Sequence, residues 1–155
     1  MIAFISEDVD AAAAYEPWLS QYGEREGAKL LYTDKDMPLE MVSSLVASDE
    51  VLRERPEDVS AFLRGFFRAV AFYREHPNEA NEIMGRSIGI SADDFKFFMD
   101  RTKVLDYDES MGLVHDGSME EITDAVNRVW LREGILQRPL TVEESYDTGF
   151  LENLY

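Results

Sequence analysis

Between Pro56 and Glu75 the apolar residues Val59, Phe62, Leu63, Phe66, Phe67, Val70 and Tyr73 recur at i, i+3, i+4, i+7, i+8, i+11 and i+14. A helix gathers that spacing onto one broad face, and a face so wide must be covered by a core. Arg64 and Arg68, one turn apart, fall on the opposite side and read as solvated. A stripe this rich in aromatic residues is scaffold rather than a cofactor site. It requires a packed domain, and 155 residues with 45% apolar side chains are enough to build one.

Start and stop signals divide the remainder. Ser48-Asp49-Glu50 reads as the cap of a short helix through Arg53, before Pro56 restarts the chain. His76-Pro77 ends the long helix and begins another over residues 78–87. Ser91 followed by Asp93 and Asp94 suits a helix start, with Phe95, Phe98 and Met99 expected inside and the end near Arg101. Residues 104–110 read as irregular or as a short edge strand, and His115-Asp116-Gly117 as a turn. Ser118-Met119-Glu120-Glu121 has the form of a capping box. It would open a helix with Ile122, Ala125, Val126, Val129 and Trp130 on one face and Gly134 at its end. Thr141-Val142-Glu143-Glu144 repeats the box for a short final helix, and Phe150-Leu151 reads as a terminal apolar anchor.

Upstream, Glu16 to Glu26 reads as a helix that Gly27 terminates. Residues 28–33 and 42–47 read as strands, separated by a polar loop. Strands alternating with helices favour an α/β fold.

Charge and composition remove several classes of function. Fifteen Lys+Arg oppose 32 Asp+Glu, a net charge of −17, so the basic stripe that nucleic acid requires is missing. There is no cysteine, which excludes disulfides, thiolate metal sites and Cys nucleophiles. No stretch approaches the ~18 apolar residues of a membrane span. His76 and Glu79 have the i, i+3 spacing of a carboxylate-bridged metal site, but the only other histidine is His115. Asp34-Lys35-Asp36 lacks the remaining ligands and the glycine of a calcium loop. Neither metal nor cofactor is expected. No Ser-His-Asp set, phosphate-binding glycine loop or paired-carboxylate motif stands out, and Glu120-Glu121 and Glu143-Glu144 are helix-start charges. Catalysis is not expected.

One segment carries more information than its length suggests: Val9-Asp10-Ala11-Ala12-Ala13-Ala14-Tyr15-Glu16-Pro17-Trp18. Pro17 biases Glu16 toward extended backbone, and a helix can open directly after it. On its residues alone this is either a buried strand with a helix cap or an ionisable junction at a strand end, where α/β folds keep ligand crevices. The order Asp-Ala-Ala…Tyr-Glu-Pro-Trp-Leu, preceded by Phe4-Ile5-Ser6, resembles nitrate/sulfonate/taurine-type (NMT1/THI5-like) solute-binding proteins of ABC transporters. Gly27-Ala28-Lys29-Leu30-Leu31, Leu45-Val46-Ala47-Ser48, Leu52 to Val59 and His76-Pro77-Asn78-Glu79-Ala80 come in the family's order. The end, Gly134-Ile135-Leu136…Phe150-Leu151, is similar too. One departure is Glu7, which stands where the family pattern has glycine.

The resemblance implies a periplasmic-binding-protein type II-like α/β fold, of which this chain corresponds to the second half. Residues 1–14 would be the end of lobe 2 and the crossover strand, and residues 15–155 the C-terminal portion of lobe 1. It implies a small organic solute held in an interlobe cleft, by Tyr15 and Glu16 above all, with Pro17 shaping the corner and Trp18 packing the hinge helix beside it. Glu16 would accept hydrogen bonds from an amine or ring N–H, which suits a taurine-like amine, a sulfonate bearing one, or a pyrimidine precursor better than nitrate. A permease is the implied partner. The implied location is the periplasm or the outer face of a membrane, although no signal precedes Val9, so a natural start at Met1 would mean the cytoplasm. A relative that makes the thiamine pyrimidine relies on a cysteine-rich motif and iron, and this chain has no cysteine. The alternative expectation is a self-associating remnant that binds no solute and dimerises through the edge left by the missing half.

Overall fold

A computed structural model describes residues 2–15, 19, 27–33 and 43–155. It divides into two compact units. One comprises Met1–Glu40 with Asn78–Lys103, and the other Met41–Pro77 with Val104–Tyr155.

In the second unit, Ser48 caps α2 (Asp49–Glu54), its hydroxyl accepting the Val51 amide at 3.3 Å. Proline at the first position, where no amide hydrogen is needed, then opens α3 (Pro56–Glu75). The expected stripe is buried where it is densest, at Phe67 and Val70, while Val59, Leu63, Phe66 and Tyr73 are half-buried. Phe62 departs from the expectation at 61% exposed. It lies more than a turn before Phe67, which meets Tyr107 in a T-shaped contact at 5.6 Å between ring centroids. Tyr107 in turn meets Tyr155 edge-on at 4.9 Å. Each such aromatic pair adds about 0.5–1.5 kcal/mol beyond the area it buries.

Of residues 104–110, expected to be irregular or a strand, residues 104–106 are irregular and residues 107–110 instead open helix α6 (Tyr107–His115). The cause is local. Asp106 and Glu109 form a reciprocal capping box, each carboxylate accepting the other residue's amide at 2.9 Å. Arg74, near the end of α3, reaches the same carboxylates of Asp106 and Glu109 and also the Val104 carbonyl.

The Ser118 box does not form. The helix α7 (Ser118–Arg132) takes Gly117 as its N-cap, with φ 88°, and Ser118 becomes the first helical residue. Asp116 lies two residues before Ser118 and accepts its amide at 2.9 Å, which pre-empts serine as the capping group. With α6 ending at His115, only a left-handed residue can reverse the chain in the space that remains, and glycine does so without steric cost. Thr141 does form its expected box with Glu144, opening α8 (Val142–Ser145). The chain ends in α9 (Gly149–Glu152), with Phe150 and Leu151 half-buried and Leu154 more deeply buried. α2 packs on α3, α6 and α8 on α7, and α9 on α3 and α6.

The first unit contains α1 (Ile2–Ile5), most of α4 (Pro77–Ile88) and α5 (Ala92–Met99). Ser91 caps α5 as expected, accepting the Asp94 amide at 3.1 Å. Phe95 is buried, whereas Phe98 and Met99 are only half-buried. α4 buries Ala80, Asn81 and Gly85. A Cβ on Gly85 would stand 2.9 Å from the Ser91 carbonyl oxygen, so the chain leaving α4 passes too close for any side chain.

Every regular element among the described residues is a helix. Residues 28–33 and 43–47, expected to be strands, form no ladder there, and Leu30, Leu31, Leu45 and Val46 are 54–92% exposed. A strand is held by its neighbour's backbone, and no strand lies among the described residues to pair with them. Among the described residues the α/β alternation does not appear. The helix expected over residues 16–26, apart from Leu19, lies outside the described residues, while Gly27 has the left-handed φ of 86° expected of a helix terminator.

Candidate functional site

The candidate segment begins with the exit from α1. The Asp8 amide reaches back to the Ala3 carbonyl at 2.8 Å and the Glu7 amide to Phe4 at 3.3 Å, the paired bonds of a Schellman cap. The Ser6 hydroxyl lies 3.0 Å from the Ile2 carbonyl and 2.7 Å from the Asp8 carboxylate. Glu7 takes the left-handed position with φ 63°. Residues 6–13 are then all exposed, and residues 11–15 adopt neither helix nor strand.

Of the four residues expected at the site, the structure places one. Tyr15 presents its side chain to solvent at 77% exposure, and its carbonyl accepts the Leu19 amide at 3.1 Å. Glu16, Pro17 and Trp18 lie outside the described residues.

A concavity, which sequence reasoning did not anticipate, opens in the other unit. Its volume is about 490 Å³, and its lining includes Glu120, Glu143, Asp147 and Glu152 beside His115 and Tyr146. No lysine or arginine contributes to it, so its electrostatics oppose an anion. Its acids have structural employment. Asp147 accepts the Gly149 amide at 3.2 Å, Glu152 accepts the Thr148 hydroxyl at 3.1 Å, and Glu143 and Glu120 occupy the first turns of α8 and α7. Hydrogen bonds from its own amide and from Thr141 hold the Glu143 carboxyl below its ordinary range.

Nearby, Arg138 grips Glu144 through two bonds of 2.7 and 2.9 Å. That grip, with the Thr141 amide, holds the Glu144 carboxyl down to about 2. Asp116 is also lowered, by the hydrogen bonds it receives from Ser118. His76 meets Phe72 at a tilt, with 5.0 Å between ring centroids. Among the described residues no three His, Asp or Glu side chains are grouped to hold a metal ion, and no helix is long and apolar enough to cross a membrane.

The sequence profile described as NMT1/THI5 like matches residues 1–80, a stretch that contains the whole candidate segment, and the chain belongs to that family. Its members have a periplasmic-binding-protein-like fold.

A Bacillus subtilis (strain 168) protein named "Putative aliphatic sulfonates-binding protein" is 32% identical over 81 residues, which is 52% of this chain and 24% of the relative. Proteins of Brucella abortus and Brucella suis, each named "Putative binding protein", are 22% identical over 151 residues, 93% of this chain and 46% of theirs. The chain thus spans less than half the length of these curated relatives. No solved structure matches it.

Proposed function

We propose that the chain supplies part of the solute-binding component of an ABC importer, a type II-like α/β binding protein that captures a small organic solute between two lobes. In this reading residues 1–14 belong to the end of lobe 2 and the crossover, and residues 15–155 to lobe 1. The observation that carries it is the family match over residues 1–80, which includes the segment ending in Tyr15-Glu16-Pro17-Trp18. Tyr15, exposed at 77%, offers a flat apolar face with a hydroxyl at its tip. Glu16 accepts from an amine or ring N–H, Pro17 sets the corner, and Trp18 packs behind it. The solute class is an aminosulfonate or a related sulfonate, with a pyrimidine precursor as the next candidate. A sulfonate is supported by the name of the Bacillus relative. The acid-lined concavity is not assigned to such an anion. The partner is a permease, and the location is the periplasm or the outer face of a membrane.

Thermal melts of the purified chain with taurine, alkanesulfonates, nitrate and pyrimidine precursors test the proposal. At ~100 times its Kd a ligand contributes about 2.7 kcal/mol, which raises Tm by roughly 5–10 °C for a chain of this size. A rise with one solute class, abolished by Glu16→Ala, supports the reading. A cooperative melt insensitive to every solute rejects binding by this chain.

The exposed apolar residues Phe62, Trp130 and Ile135 favour a second reading, a self-associating domain blind to solutes. A concentration-dependent dimer whose melt ignores all solutes would support it.

A further inference from the structure

Among the described residues, three helices end on a hydrogen bond that spans six residues around a left-handed one. At α4 the Ile90 amide bonds the Gly85 carbonyl at 2.9 Å and Gly89 has φ 78°. At α7 the Ile135 amide bonds the Trp130 carbonyl at 2.8 Å, the Gly134 amide bonds Leu131 at 3.1 Å, and Gly134 has φ 71°. At α1 the corresponding bonds are those of Asp8 and Glu7, and the left-handed residue is Glu7. It is the only non-glycine residue with positive φ among the described residues. A Cβ in that conformation crowds the backbone, and such strain persists only where the surroundings hold it. No residue of α1 is fully buried, Phe4 and Ile5 being half-buried. The turn is closed by local bonds, including those of the Ser6 hydroxyl to the Ile2 carbonyl and the Asp8 carboxylate.

We propose that the Ser6–Glu7–Asp8 turn is a strained joint, poised between the capped path and a released one, on which residues 9–15 swing. Glutamate at position 7 weakens the closed cap, so the segment leaving α1 can change direction without unfolding α1's neighbours. If the segment that ends at Tyr15 contacts a solute, as the solute-binding reading holds, the joint lets it move toward the solute; this extension rests on that reading.

Amide hydrogen exchange on the full chain tests the joint without any solute. Glu7→Gly relieves the strain, so exchange at the Asp8 amide should slow about fivefold or more. Glu7→Val, whose branched Cβ is least tolerated at positive φ, should accelerate it. The Ile135 amide, in the glycine-closed cap of α7, serves as the reference and should not change. An Asp8 rate within twofold of wild type in Glu7→Gly, or equal slowing at Asp8 and Ile135, overturns the proposal. The solute melt separates the two readings. A solute-induced rise in Tm that differs between wild type and Glu7→Gly supports use of the joint in binding, and identical rises overturn that use. With no rise for any solute, the binding reading falls and the exchange ratio still decides the joint.

Discussion

The exits from α1 and α7 share a geometry and differ in how the chain is held beyond them. At both, the backbone leaves through a Schellman cap and continues without regular structure. After α7, the chain is recaptured within a few residues. The buried side chain of Asn127 both accepts the Leu140 amide, at 3.0 Å, and donates to the Leu140 carbonyl, at 2.8 Å. Arg138 and Thr141 then hold Glu144. After α1, residues 6–13 run exposed toward Tyr15. A cap fixes only the direction in which a chain departs; polar bonds further along decide whether it stays there. Among the described residues, polar side chains hold the chain again beyond α7, whereas residues 6–13 beyond α1 are exposed.

Three substitutions test that contrast. The largest effect is expected of Asn127→Leu, which leaves the Leu140 amide and carbonyl without their partner beside a residue that is 5% exposed. A loss of about 2–3 kcal/mol lowers Tm by roughly 5–10 °C; a fall under ~2 °C would mean that the exit is held by something else. Next is Arg138→Ala, measured across pH. Glu144 has a folded pKa of about 2, below its ordinary 4.5, so its contribution is complete above 4.5 and disappears as pH falls through about 2. The Tm gap between wild type and Arg138→Ala should therefore be full at pH 6, shrink below pH 4.5 and close near pH 2. A gap that does not vary with pH would assign the Arg138 effect to packing. The smallest stability change belongs to Tyr15→Ala, within ~0.5 kcal/mol for an exposed side chain. The same substitution should remove most of any solute-induced rise in Tm, and a large loss of stability instead would make Tyr15 a structural residue.

The features legible in the sequence are those decided within a few residues. Ser48, Ser91 and Thr141 cap the helices their positions predict, and the stripe of α3 buries Phe67 and Val70. The two helix starts that differ from expectation are also local, but each has competing cappers. Asp106 and Glu109 form the D-x-x-E version of the box expected at Ser118 and Glu121. Asp116 takes the Ser118 amide first. Residues 28–33 and 43–47 depart for the opposite reason. An apolar, strand-like pattern states only that a strand could be paired, and the pairing partner is a non-local fact. In the candidate segment, the order of its neighbours nominates Tyr15, whereas its exposure is not legible there, because exposure is set by what packs across from it.

The exposed end of α7 has a practical consequence. The chain has two tryptophans, Trp18 in the candidate segment and Trp130, which is 43% exposed beside the cap that Ile135 closes. Trp130 emission should be red-shifted and open to a soluble quencher, a constant background that dilutes any signal from the other indole. Replacing it with phenylalanine at this half-solvated position costs little packing and leaves Trp18 as the sole indole, which excitation at the red edge of the absorption band selects over the seven tyrosines. The candidate segment would then carry its own optical label.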